Sequence, residues 1–254
     1  MAYRLEFENY TFPESLTYNL VTFRSAVPSA KLPRAHGARV PTGYLGERRI
    51  EIRGMLKVDL DTPATLQDQI DDLRAALMDG PQTLYLPNSR YLRNVQKDDN
   101  GVDRYDNTWP ERLAEIAVDL ITGDPFMYSD TESSDLTNVV NETPEDVVVN
   151  NAAGNAPALP ELRLTVGGAG AVTIAVTVSN QTTGEAFTLS GAVSGGDVIK
   201  INSLDETVLI GTTDKMSLFD GLFPTLALGN NTIRITYTSG TITNLDVYWR
   251  SRWY

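Results

Sequence analysis

Three observations predict a mainly β protein of two domains. Apolar residues alternate with polar ones over most of the chain, a single segment has helical periodicity, and the composition changes near residue 130. The expected architecture is an α+β N-terminal β-sandwich with one helix over residues 1–130, followed by a C-terminal β-sandwich over residues 131–254. The second half is poorer in charge: 6 Lys and Arg against 13 Asp and Glu, compared with 15 against 20 before it.

The elements follow in order. Leu5, Phe7 and Asn9 alternate with Glu6 and Glu8, and Leu16, Tyr18 and Leu20 share a face ahead of Val21-Thr22-Phe23, so the chain opens with half-buried strands. Arg34–Arg49 holds Gly37, Pro41, Gly43 and Gly46 and reads as an extended loop or protruding hairpin. Ile50-Glu51-Ile52-Arg53-Gly54 is an alternating strand. Thr62 can cap a helix over residues 63–78, and Pro63 suits its first position because the missing N–H would be unpaired there anyway. Leu66, Ile70, Leu73 and Leu77 form one stripe on that helix, whose burial is worth about 6–12 kcal/mol before entropy. Gly80 and Pro81 end it.

Strands resume at residues 83–86 and 90–95, and Asp98-Asp99-Asn100-Gly101 reads as a tight hairpin turn. Ile116, Val118 and Leu120 alternate with polar partners in the last strand of the first domain. Residues 123–160 are rich in Pro, Asn, Asp, Ser and Thr, with the domain boundary near Asp130. Beyond them come short strands around Leu162–Val166, Val172–Val178, Val198–Ile201 and Thr232–Tyr237. They are separated by turns at Gly167–Gly170, Gly195–Asp197 and Asn230–Asn231, the spacing of a sandwich.

The composition excludes much chemistry. The chain has 254 residues, 41% hydrophobic and 21% charged, enough apolar material for a sizeable core. It has no cysteine, so disulfides, thiolate metal sites and cysteine nucleophiles are excluded. It has one histidine, His36, so a two-histidine metal site on one chain is impossible. The net charge of −12 disfavours non-specific binding to nucleic acid or anionic membrane. No segment reads as a signal peptide or a membrane span.

Each residual candidate has a plainer reading. His36 lies among Gly, Pro and Arg with no acid close in sequence, as an exposed loop histidine does. Asp98, Asp99, Asn100, Asp103 and Asp106 fail the calcium-loop spacing, since the glycine comes fourth and Val102 falls on a ligand position, so a solvated hairpin tip is expected. Gly167-Gly168-Ala169-Gly170 opens no helix and is a turn, not a phosphate cradle. The 33 acids contain no marked pair for glycoside hydrolysis. Trp249 and Trp253, with Tyr248 and Tyr254, form a candidate C-terminal aromatic surface for stacking sugars; the other reading is a final strand whose aromatics close the core or dock on a neighbouring domain. The expectation is a protein without enzymatic activity, cofactor or metal.

Five segments in order then point to a family. They are Ile50-Glu51-Ile52-Arg53-Gly54 with the helix after it; Gly123-Asp124-Pro125-Phe126-Met127-Tyr128; Asn151 with Gly154-Asn155-Ala156-Pro157 and a strand from Glu161; Gly196-Asp197-Val198-Ile199-Lys200-Ile201-Asn202; and Phe223-Pro224-Thr225-Leu226 with Gly229-Asn230-Asn231-Thr232-Ile233. The aromatic-basic end Tyr248-Trp249-Arg250-Ser251-Arg252-Trp253 joins them. Together they resemble the distal tail proteins of siphovirus-type bacteriophages, which have long, non-contractile tails. Asn202 stands where the family usually has aspartate, and Ala152-Ala153 loosens the asparagine-glycine stretch.

The resemblance implies a galectin-like or carbohydrate-module-like second sandwich and a homo-hexamer: a hub ring in the virion, assembled in the host cytoplasm. The ring would join the tail tube protein to a tail-tip protein. Its lumen would pass the tape-measure protein and then DNA, without specific binding, and receptor-binding or side-fibre proteins are further partners. A ring needs head-to-tail contacts between two different surfaces. Arg34, His36, Arg39, Arg48 and Arg49 are the candidate inter-subunit or lumen residues, with the Asp98–Asp106 hairpin as a second arm. The alternative function is a carbohydrate-binding adhesin module with an accessory β-domain.

Overall fold

A computed structural model describes residues 5–7, 10–24, 45–57, 66–99, 103–109, 113–140 and 143–254. The chain divides into two compact units, Met1–Asp130 and Thr131–Tyr254. Strands predominate in both, and the described residues hold one α-helix, so the mainly β fold class read from the sequence is the one observed.

The first unit contains β1 (Glu6–Phe7), β2 (Tyr10–Thr11), β3 (Leu16–Arg24), β4 (Leu45–Lys57), α1 (Leu66–Met78), β5 (Gln82–Leu86), β6 (Arg90–Lys97), β7 (Asp103–Trp109), β8 (Leu113–Thr122) and β9 (Met127–Ser129). The strand order is β2-β1-β5-β6-β8-β4-β3, with β7 beside β8 and β9 beside β6. Strand β6 serves two neighbours. It pairs with β5 through Arg90–Val95 and with β8 through Gln96 and Lys97, turning between them at Asn94, whose φ is +51°. The Thr122 hydroxyl donates to the Arg93 carbonyl at 2.6 Å and pins that corner.

The helix stripe performs as its spacing predicts: Leu66, Ile70, Leu73 and Leu77 are all buried, and α1 packs on β4 and β6. Thr62 and Pro63 lie outside the described residues.

Two expectations for this unit are corrected. The segment Arg34–Arg49 is not loop to its end, because β4 begins at Leu45 and pairs with β3 from Arg24↔Leu45 to Leu16↔Gly54. Arg48 and Arg49 are therefore strand residues in a sheet interior. Nor do β6 and β7 pair with each other among the described residues. Strand β4 occupies one edge of β8 over its whole length, so β6 and β7 lie in succession along the other edge. Asp98 is not a solvated tip: it is 6% exposed and its N–H donates to the Asp119 carbonyl.

The second unit is a sandwich. One sheet runs β10 (Ser133–Val139), β20 (Ile242–Trp249), β12 (Glu161–Val166), β15 (Val198–Asn202), β16 (Thr207–Ile210) and β17 (Thr213–Asp214). The other runs β11 (Glu145–Asn151), β19 (Gly229–Ser239), β13 (Ala171–Asn180), β14 (Ala186–Ser194) and β18 (Phe219–Gly221). Leu162, Leu164, Ile199, Ile201, Leu245 and Val247 from the first sheet meet Val147, Val149, Val176, Val178, Ile233 and Ile235 from the second in one core. Strands β10 and β11 arise from the polar stretch 123–160, where composition alone suggests loop.

Candidate functional site

The central strands of the first unit carry a ladder of charge on one face. Residues 49, 51 and 53 of β4 point away from buried Ile50 and Ile52. Arg53 Nη2 donates to Asp119 Oδ1 at 2.6 Å, and its Nη1 donates to the carbonyls of Ile52 and Val118 at 2.9 and 3.0 Å. Arg49 Nη2 donates to Asp98 Oδ2 at 2.8 Å, with Nη1 at 3.9 Å from Asp119 Oδ2. The two carboxylates are buried, while the two guanidiniums stay about one-third exposed. Two arginines and two aspartates thus pair across these strands, and Arg49 is committed within that network.

On the opposite face of β4, Arg48 is 2% exposed, in line with Ile50 and Ile52. Burial pushes its guanidinium below the ordinary arginine range, and the charge of Asp124 acts in the other sense. Asp124 is itself held locally: Oδ1 accepts the Phe126 N–H at 3.1 Å and Oδ2 accepts the Tyr128 hydroxyl at 2.6 Å. That is the physical content of the segment Asp124-Pro125-Phe126-Met127-Tyr128. Asp124 closes an Asx turn after β8, and buried Tyr128 locks it.

In the second unit the motif residues build a clamp. Asn231, fully buried, donates from Nδ2 to the carbonyls of Ala227 and Gly229 at 2.9 and 3.0 Å, and its Oδ1 accepts the Ala227 N–H at 2.8 Å. Asn180 Nδ2 donates to the Thr225 carbonyl at 2.7 Å and to Asn231 Oδ1 at 3.2 Å, and Asn151 Nδ2 reaches the Leu226 carbonyl at 3.3 Å. Glu185 Oε2 accepts from the N–H and hydroxyl of Thr225 at 2.7 and 2.8 Å. Together these groups fix residues 225–229 across the end of the sandwich. Gly154 has φ of +95°, and a Cβ there would strike the Arg252 carbonyl, which accepts from the N–H groups of Asn155 and Ala156. The glycine lets the chain end lie against residues 154–156.

Sequence reasoning did not single out Asp119, Asn180 or Glu185. Asp119 sits in an apolar run with its arginine partner 66 positions away, and nothing local marks it.

The candidate aromatic surface is not assembled as such. Trp249 is buried in the second core at 8% exposure, which corrects its assignment to a surface; strand alternation aims it inward with Leu245 and Val247. Tyr248 points outward, but the Arg163 guanidinium covers its ring at 3.9 Å, and Arg163 is paired with Glu161. Trp253 is half-buried and Tyr254 exposed. Arg34, His36 and Arg39 lie outside the described residues. Among the described residues no group of three or more His, Asp or Glu converges on a metal position, and no helix is long and apolar enough to cross a membrane.

Comparison with known proteins adds the following. Residues 153–253 match the family model described as the siphovirus-type tail component, C-terminal domain. The whole chain is similar in fold to the Dit (gp 19.1) protein of phage SPP1, described as a paradigm of hub adsorption apparatus in Gram-positive infecting phages. Identity is 13%, the match covers 98% of each chain, and the TM-score is 0.67. Weaker similarities, with TM-scores of 0.39 and 0.42, are to the phage p2 baseplate in its activated conformation with Sr and with Ca. They are 8% and 10% identical, covering 95% and 96% of this chain and 93% and 94% of those. No curated protein matches the chain.

Proposed function

We propose that the chain is a hub of the distal tail, a structural protein of a phage tail, a reading supported by the match of residues 153–253 to the siphovirus-type tail component family. In this reading six copies close into a ring between the tail tube and the tip, with a lumen wide enough for the tape-measure protein and then DNA. The observation that supports it most is the family match over residues 153–253, set in a fold shared along 98% of the chain with a Dit protein.

The charge distribution supports the same reading. The segment between β3 and β4, residues 25–44, contains Lys31, Arg34, His36 and Arg39 and no acid, in a chain whose net charge is −12. Helix α1 exposes Asp68, Asp71 and Asp72, with Asp79 just beyond its end. A head-to-tail ring requires two unlike surfaces on each copy, and these differ in sign. In that ring Arg34, His36 and Arg39 meet the neighbouring copy. An acidic protein around the lumen also holds DNA weakly enough for it to pass.

The adhesin alternative needs rings free to stack on sugar. Trp249 is in the core and Tyr248 lies under Arg163. Neither of these two rings is free to stack, so they lend that alternative no support.

The experiment follows from the β3–β4 register. Arg24 and Leu45 are paired neighbours, so a short Gly-Ser linker can replace residues 28–42 without pulling on the sheet. A deletion running to Arg49 would instead remove part of a central strand. The linker variant is expected to keep the circular dichroism and unfolding transitions of the parent and to lose the ring in light scattering. Rings of unchanged mass would overturn the role given to this segment.

A further inference from the structure

We infer that β11 is a pairing edge for a second copy of this chain: two β11 strands meet antiparallel about a two-fold axis at Val148 and join two second units sheet to sheet. The inference goes beyond the ring reading, because a two-fold contact uses one surface twice and is none of the head-to-tail contacts of a ring.

Among the described residues the sandwich has four edge strands, β10, β17, β11 and β18, and three of them are blunted. Strands β17 and β18 have two and three residues. Strand β10 shifts register between Asp135 and Asn138. Strand β11 instead runs for seven residues in unbroken register with β19, and it contains neither Pro nor Lys.

Alternation fixes which groups this edge offers. The Thr232 carbonyl accepts the Gln181 N–H, so Thr232 faces the β13 side and its neighbours Asn231 and Ile233 face β11. Their partners Val149 and Val147 therefore direct their N–H and C=O groups to β19, and Asp146, Val148 and Asn150 direct theirs to the free edge. The same three residues are exposed, Val148 at 57%, while Val147 and Val149 are buried. A row of unmet backbone groups beside an exposed valine is a template for another strand.

The side chains argue for a second copy as the occupant. A two-fold axis at Val148 sets Val148 against the partner's Val148, Asp146 against the partner's Asn150 and Glu145 against the partner's Asn151. No acid faces an acid, and Asp146 arrives already paired, with Arg234 donating to both its oxygens at 2.7 Å. Centring the axis on Val147 or Val149 would instead set Val148 against a carboxylate or an amide. One pair of seven-residue strands is a small interface, so pairing is expected to grow in with concentration.

The test uses the full chain, which has no cysteine of its own, so one introduced cysteine is its one thiol. With a short thiol cross-linker, Val148→Cys is expected to give a covalent dimer, since the two Cα atoms would lie about 5.5 Å apart. Asp146→Cys or Asn150→Cys alone would hold its two thiols about 14 Å apart and is expected to cross-link at least roughly fivefold less. An equal mixture of those two is expected to recover about half the Val148→Cys yield, because they face each other across the axis. Equal yields at all three positions would mark chance collision, and no dimer from Val148→Cys would leave the edge to a strand of another protein; either overturns the inference. Without cross-linker, Val148→Lys sets two like charges face to face and is expected to raise the concentration at which the mass doubles by at least about fivefold. An unchanged concentration would overturn the inference as well. Ring mass read on the same samples separates the two claims. Rings without the cross-link remove this contact alone, and the cross-link without rings removes the ring alone.

Discussion

Replacing Asn231 with Asp is expected to lower the stability of the second unit by about 3–5 kcal/mol at neutral pH. Asn231 is fully buried and uses both ends of its amide: two donations to the carbonyls of Ala227 and Gly229, and acceptance from the Ala227 N–H and Asn180 Nδ2. Aspartate has the same shape but only accepts. A carboxylate there would face two carbonyl oxygens at about 3 Å with no cation beside it. Its folded-state pKa would rise above the unfolded value near 3.9, so stability returns as pH falls through the folded pKa, when the carboxyl regains a donor. Urea unfolding followed through buried Trp249 should show the second unit's midpoint lowered by about 2 M at pH 7, with partial recovery toward pH 4. An unchanged midpoint at pH 7 would mean that the clamp on residues 225–229 contributes nothing.

Asp119→Leu is the second large change, and it acts on the first unit. The Asp119 side chain is 4% exposed and receives Arg53 at 2.6 Å, with Arg49 at 3.9 Å on its other oxygen. Removing the carboxylate leaves two guanidiniums facing an apolar group. Arg53 keeps its carbonyl contacts and both arginines reach solvent, which lowers the cost from that of a fully buried pair to about 2–4 kcal/mol. Adding Arg53→Met should recover part of the loss, because the apolar pair no longer strands a charge. A double-mutant cycle on the first unit's unfolding transition measures this; a coupling energy near zero would mean that the ladder is only a surface arrangement.

Local periodicity carries its meaning where burial has one partner layer. The stripe Leu66-Ile70-Leu73-Leu77 and the alternation Leu162-Leu164-Val166 each name their buried face without help from elsewhere. The same rule fails at Arg48. Its alternation with Ile50 and Ile52 is regular, but a charged side chain on the core face reads as loop, so the start of β4 is missed by five residues. Asp98 fails for another reason: its environment is made by Arg49 and by the Asp119 carbonyl on β8, contacts of long sequence separation. Strand β10 opens on Ser133, Ser134 and Asp135, which read as loop, and its pairing with β20 comes from the register of the sheet. The five family motifs were legible as residues, but their work was not. Asp124 proves to be a turn closure, Gly154 a point of backbone approach and Asn231 a clamp, each holding a loop in place.

Assembly is the central claim, and the mass of the purified chain in solution tests it most directly. Light scattering with negative-stain images of the main peak should give about 170 kDa, six copies of a 27.9 kDa chain, as ring-shaped particles whose mass falls on dilution in high salt. A single species of one chain mass at every concentration, alone and mixed with a tail tube protein, would contradict the account.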